Sequence, residues 1–271
     1  MPERVEAERV EELWSTLDEL LMIWDDRPEK TAVSRGRQME LPRLAVVLGL
    51  ASHTHRLARA AVHLHKAGMD LEAMPLVRGT LEHGLTAQWM LHNDAEALAG
   101  FVNAQQRRRR AMGEAMLGVG WGEVDEVTEI IEKSVVVPST GDAPAKNFEQ
   151  LCEDFAPLGS SLYLVYRSLS GYTHAGHHIV DSYLIPGDTI SIRIDPEKPL
   201  PVAAWLWTLC AGCMWASRAA DMLDRDRPHR QALRRIARVL RTPGTLDLHP
   251  NAWLRSRGVT KKKMKQKGTS P

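Results

Sequence analysis

PLPVAAWLWTLCAGCMWAS, residues 199–217, holds 19 residues without a formal charge, and its reading decides the fold. A bilayer is crossed by about 20 predominantly apolar residues, so the length alone just suffices. Pro199, Pro201, Thr208, Gly212 and Ser217 dilute the stretch and leave an unbroken apolar core shorter than a span. The segment therefore reads as a buried helix from about Val202 to Asp224, apolar on every side, against which other helices pack. No membrane partner is expected.

Working outward, the chain reads as helix after helix. A first helix runs from about Val5 to Asp26 with Leu13, Leu17, Leu20, Leu21 and Trp24 on one face, and Pro28 ends it. A second starts near Pro42, a residue suited to a first helical turn, and runs to Lys66 with Gly68 as its C-terminal cap. Asp70 caps a third, in which Gly79 and Gly84 suggest close packing against a neighbour; Asp94 caps a fourth that carries Arg107–Arg110 and fades near Gly118. A short helix covers about Val124 to Lys133, residues 135–147 read as a loop, and further helices lie around Phe148–Phe155 and from Ser160 toward Leu169. Ile190-Ser191-Ile192-Arg193-Ile194 alternates as a strand does, a minor β-ribbon on a helical protein. After the apolar helix comes an Arg-rich one from Pro228 to Arg241. The expectation is all-α: one helical domain over 1–244, then a basic, disordered tail over 245–271.

Composition fits such a domain: 271 residues, 44% hydrophobic and 25% charged. Three Cys and no apolar leader point to a reducing cytoplasm. The net charge of +1 hides an asymmetry, because Arg225 to Pro271 hold 14 Lys/Arg against two Asp/Glu. Such polarity either steers a polyanion toward one end or clamps a basic tail onto its own acidic body.

The constellation with chemistry in it is Arg167-Ser168-Leu169-Ser170-Gly171-Tyr172-Thr173-His174. Arg56/His63, Arg59/His65 and Arg78/His83 are spaced similarly, so spacing alone selects none of them. A guanidinium fork matches two phosphate oxygens and keeps its charge, and an imidazole titrates near neutrality; together they can cleave RNA without a metal. On a continuous helix a separation of seven sets the two about 10 Å apart along the axis, too far for one scissile phosphate. Gly171 must break that helix, or a second protomer must supply one partner. The bland reading has Arg167 capping a helix or pairing with a carboxylate while His174 opens the next helix.

Two segments carry a family resemblance. Leu76-Val77-Arg78-Gly79-Thr80-Leu81-Glu82-His83, after a helix ending Lys66-Ala67-Gly68, and Tyr166 through His174 resemble a little-characterised bacterial group within the HEPN superfamily of small helical proteins. The likeness spans roughly residues 40–180 and implies a HEPN-like bundle with its core at about 40–225. It implies a homodimer whose two copies form one RNA cleft, with Arg167 and His174 as catalytic residues. Ser168 stands where active members often carry Asn, Asp or His, and many superfamily members lack nuclease activity. Arg78, Glu82, Ser168 and Tyr172 are supporting candidates; Arg78 and Glu82 have the i, i+4 spacing of a helical ion pair.

Arg107, Arg108, Arg109 and Arg110, with Lys261, Lys262 and Lys263, are the nucleic-acid candidates, since phosphate contacts are electrostatic and sequence-blind. The tail, which also holds Lys265 and Lys267, has no aromatics to stack on bases and serves equally as a solvated tail. His174, His177, His178 and Asp181 would share one face of a continuous helix, a spacing at which zinc is held. Isolated helical His clusters are usually satisfied groups, so no metal and no cofactor are expected. The function expected is that of a metal-independent endoribonuclease of toxin or defence type; the rival is a non-enzymatic interaction or nucleotide-binding protein of the same fold.

Overall fold

A computed structural model describes residues 2–27, 41–93 and 95–256. Pro28, Asp94 and the lysines from Lys261 onward lie outside the described residues. The fold is all-α with two small ribbons. The helices are α1 (Pro2–Asp25), α2 (Leu41–Lys66), α3 (Asp70–His92), α4 (Ala95–Val119), α5 (Val124–Lys133), α6 (Asp142–Lys146), α7 (Phe148–Glu153), α8 (Gly159–Ser170), α9 (His177–Tyr183), α10 (Val202–Leu223), α11 (Arg230–Val239) and α12 (Pro250–Ser256). The strands are β1 (Phe155–Ala156), β2 (Leu184–Ile185), β3 (Ser191–Ile192) and β4 (Asp247–Leu248). Two compact units result, Met1–Leu91 with Ser161–Leu246, and His92–Ser160 with Asp247–Pro271.

In the first unit α10 is the central helix, and every residue from Thr208 to Leu223 is buried. Among the described residues no helix is long and apolar enough to cross a membrane. α1 lays Leu13, Leu17 and Leu20, at most 1% exposed, toward this core; full burial of each such side chain contributes about 1.5–3 kcal/mol. α3 crosses α10 closely. A Cβ on Gly84 would stand 2.5 Å from the Gly212 carbonyl oxygen, and one on Gly212 would stand 2.8 Å from the Thr80 carbonyl oxygen. Several polar groups inside are matched. Gln88 donates to the Trp215 carbonyl at 2.7 Å. His55 donates from Nδ1 to the Ala51 carbonyl at 2.7 Å and accepts at Nε2 from the Ser217 hydroxyl at 2.9 Å. The ring of Trp24 stacks on His55 at 4.3 Å. α11 buries Leu233, Ile236 and Ala237. The segment after it is pinned by two indole N–H groups: Trp207 donates to the Leu240 carbonyl and Trp215 to that of Pro243.

Gly68 ends α2 as expected, with φ of +78°, while the Met69 N–H reaches back to the Leu64 carbonyl at 2.9 Å. The strand expected over 190–194 is shorter. Only Ser191–Ile192 pair, antiparallel, with Leu184–Ile185, and Ile190 and Ile194 remain 89% and 95% exposed. Alternation supplied the pattern, but two residues of partner strand allow no longer ladder.

In the second unit α4 packs on α5 and α6 through glycines. A Cβ on Gly100 would meet the Gly141 backbone at 2.3 Å, and one on Gly113 would meet Ile131 at 2.7 Å. The Asp142 carboxylate accepts from Asn103 Nδ2 at 2.7 Å and from Arg107 at 2.8 Å, so part of the expected 135–147 loop is a helical turn, α6, held by that carboxylate. β1 pairs antiparallel with β4, Phe155 opposite Leu248. Within the stretch expected as tail, β4 and α12 are therefore regular structure, with Ala252 buried and the His249 N–H bonded to the Asp154 carbonyl at 2.7 Å.

Candidate functional site

The resemblance-bearing segments meet in the first unit, where α3 faces α8. Arg78 donates from Nε to the Ser170 hydroxyl at 3.1 Å and from a terminal nitrogen to the Tyr166 hydroxyl. Its Cζ lies 4.4 Å from the centroid of the Tyr166 ring, and Glu82 stands 3.5 Å away on the next turn. Ser170 passes its own proton to the Tyr166 carbonyl at 2.8 Å. Two i, i+4 pairs, Arg78/Glu82 on α3 and Tyr166/Ser170 on α8, thus lock across the helix interface. A planar fork with five donors suits this geometry as an ammonium would not.

Arg167 is differently placed. It lies in the last turn of α8, exposed, and has no hydrogen-bond or ion-pair partner among the described residues. The helix ends at Ser170, and residues 171–176 turn before α9 opens at His177. His174 sits in that turn, exposed and likewise without a partner among the described residues. The axial separation that a continuous helix would impose on Arg167 and His174 therefore does not apply. The His178 ring lies close over Gly171, where a Cβ would stand 2.5 Å from its Cδ2 and the ring would have to shift. Tyr172 fixes the turn from the other side, donating to the Pro199 carbonyl at 2.7 Å. Burial pushes its hydroxyl pKa up, which keeps it a donor. Ser168 is exposed and donates only to the Leu164 carbonyl of its own helix.

The same break separates the histidines. His174 lies outside α9, whose first residues are His177 and His178, so it does not share the helical face of His177, His178 and Asp181. Among the described residues no group of three or more His, Cys, Asp or Glu is arranged to hold a metal ion. Cys210 and Cys213 are buried, and burial pushes both thiols well above their ordinary range. They are inert packing groups.

A cleft of about 540 Å³ opens between α1, α8 and α10, lined by Arg9, Leu13, Ser168, Leu169, Pro201 and Trp207 among others. Its walls are mostly apolar, and it undercuts the turn of α8 that carries Arg167.

The four-Arg run lies on α4 in the second unit. Arg107 is taken by Asp142 at 2.8 Å and Arg110 pairs with Glu114 at 3.0 Å, whereas Arg108 and Arg109 are exposed without partners among the described residues. Two of the four thus carry no ion pair, and the exposed Arg110 pair is a weak one. Lys261, Lys262 and Lys263 lie outside the described residues.

Tyr166 and Ser170 were not among the residues singled out from sequence. Their signal was present: a Tyr and a Ser at i, i+4 on a helix, matching the Arg and Glu at i, i+4 on another. Sequence shows such pairs singly, never which two faces meet.

Among protein families, the model described as "Family of unknown function (DUF5677)" matches residues 44–190, more than half of the chain. That range takes in α2 from Leu44 onward, α3 and the α8–α9 turn. No curated protein and no solved structure matches the chain.

Proposed function

As the chain belongs to that family of unknown function, we propose on its residues that it is a HEPN-like helical protein acting as a metal-independent endoribonuclease of the toxin or defence kind. The observation carrying the reading is that Arg167, in the last turn of α8, and His174, in the turn that follows it, are exposed and unpaired among the described residues, while Arg78 is consumed by packing. Arg78 is held by Ser170 and Tyr166, whereas the Arg167 fork and the His174 imidazole have no partner among the described residues and are open to a ligand.

In this reading Arg167 binds the scissile phosphate through its fork. His174 removes the proton from the ribose 2′-hydroxyl, whose oxygen attacks phosphorus. The P–O5′ bond breaks, the leaving oxygen takes a proton, and the products are a 2′,3′-cyclic phosphate and a 5′-hydroxyl. One imidazole cannot serve both faces of the phosphorus at once, so the second proton comes from His174 of another copy, in a homodimer of the HEPN type. A second copy would also supply the groups that orient Arg167 and His174, which their own chain lacks among the described residues.

One observation favours the rival, a non-enzymatic interaction or nucleotide-binding protein. No neighbour among the described residues holds the His174 ring in one orientation or tautomer, and an acid–base histidine ordinarily has such a neighbour. Incubation of the purified chain with labelled single-stranded RNA in EDTA separates the two. Cleavage lost in Arg167→Ala and in His174→Ala supports the nuclease; intact RNA with wild type and variants alike leaves the rival.

A further inference from the structure

α11 presents a stripe of cations that no motif described above accounts for. Arg230, Arg234 and Arg238 follow one another at i, i+4 and i+8, all exposed, and none has an acidic partner among the described residues. Arg241, exposed too, comes just beyond the helix end. The fourth helical arginine, Arg235, lies to the side and is neutralised by Glu19 of α1. Successive members of the stripe are about 6 Å apart along the axis, so three span about 12 Å.

Their charge is felt inside the unit. The Arg218 guanidinium, held by Asp221 at 2.9 Å, has its pKa lowered chiefly by burial; Asp221 opposes this, and the positive field of Arg234, Arg227 and Arg230 adds to it more weakly. Like charges held this close raise the energy of the free protein. A row of them without acidic neighbours is what a polyanion relieves.

We propose that the Arg230–Arg234–Arg238 face of α11 is a docking track for the phosphate backbone of RNA, extending the substrate site beyond Arg167 and His174. The inference rests on the RNA reading above for the identity of its polyanion. Three features favour RNA over other acidic partners. The opposite face of α11 is spent, because Leu233, Ile236 and Ala237 are buried in the core, so the helix cannot lay an apolar side into a lipid surface as basic amphipathic helices do. The exposed face offers regularly spaced guanidinium groups, suited to a repeating phosphate chain. The C-terminal end of α11 is also tied to the cleft that α8 borders. Arg9 donates to the Val239 carbonyl at the end of α11, at 3.1 Å, and lines the same cleft as Ser168, the neighbour of Arg167.

The test is fluorescence anisotropy of a labelled 20-nucleotide single-stranded RNA with the full chain carrying His174→Ala, so that nothing is cut, across a salt series. Each phosphate contact on a single strand contributes about 0.7 to the slope of log K against log salt, so Arg230→Gln/Arg234→Gln/Arg238→Gln should lower that slope by about 2. Arg4→Gln, exposed on α1 and paired with Glu8, should leave it unchanged. Protection of the α11 arginines of the His174→Ala chain from phenylglyoxal by RNA provides a readout that needs no substitution in α11. RNA binding with an unaltered slope and unprotected arginines overturns the track while leaving the nuclease standing. Slope loss with protection, but no cleavage by wild type, keeps the track and sinks the nuclease. Stripe-dependent binding to phosphatidylserine vesicles with none to RNA overturns the proposal in favour of a membrane.

Discussion

Removing the Arg78 side chain tests whether the α3–α8 junction is held as described. The guanidinium makes two hydrogen bonds, to Ser170 and Tyr166, lies over an aromatic ring and faces Glu82, and only 20% of the side chain is exposed. A hydrogen bond from a charged donor contributes about 1.5–3 kcal/mol. The ring contact adds about 0.5–1 kcal/mol and the half-open Glu82 pair about 0–1 kcal/mol. These terms share one side chain and do not add, so Arg78→Ala should cost about 2–4 kcal/mol. Urea denaturation followed by tryptophan fluorescence reads this through Trp89, Trp205 and Trp215, all buried in the same unit. The decisive form is a double-mutant cycle with Tyr166→Phe, which removes only the hydroxyl. Direct contact predicts a coupling of about 1–2 kcal/mol, and independent sites predict additivity within about 0.5 kcal/mol. Additive losses, or full recovery by Arg78→Lys, would refute the forked arrangement.

The α3–α10 crossing gives a paired expectation. Gly84→Ala should destabilise by about 1–3 kcal/mol because its methyl meets the Gly212 backbone, whereas Gly49→Ala, with nothing within 4 Å, should stabilise by about 0.5–1 kcal/mol; equal melting temperatures for the two variants would contradict the crossing. His55, its pKa lowered to about 4 from 6.5 chiefly by burial, is neutral in the fold. Above pH 6.5 neither folded nor unfolded chain carries its proton and there is no penalty. As pH falls from 6.5 toward 4 only the unfolded chain gains the proton, so stability should fall by about 2 kcal/mol between pH 8 and pH 5; a His55→Gln variant with the same pH profile as wild type would contradict this. Ser168→Ala, touching only its own helix, should change stability by less than about 0.5 kcal/mol, and a larger loss would mean a partner across the cleft.

Much of the architecture was legible in the chain. Periodicity placed the helices because Leu13, Leu17 and Leu20 must all find one core, and nineteen uncharged residues marked the helix at its centre. Gly84 announced a close crossing because only hydrogen allows α3 to approach α10 at that distance. The division into two units was not legible. Residues 92–160 join 247–256 through pairing of β1 with β4, a contact between segments about ninety residues apart that local pattern cannot show. The break after Ser170 was foreseen at Gly171, but not the His178 ring that lies where a side chain would go. The hub was half legible: Arg78 and Glu82 stood out, and Tyr166 and Ser170 gain meaning only once α8 is seen against α3.

The most direct measurement is product analysis of single-stranded RNA incubated with the purified chain and excess EDTA. The account predicts fragments ending in 2′,3′-cyclic phosphate, at a rate reduced at least a hundredfold by either Arg167→Ala or His174→Ala, each folded as wild type by circular dichroism; loss of one general acid–base group costs about 10²–10⁴. Full-length RNA with wild type, or cutting that survives both substitutions, would contradict it.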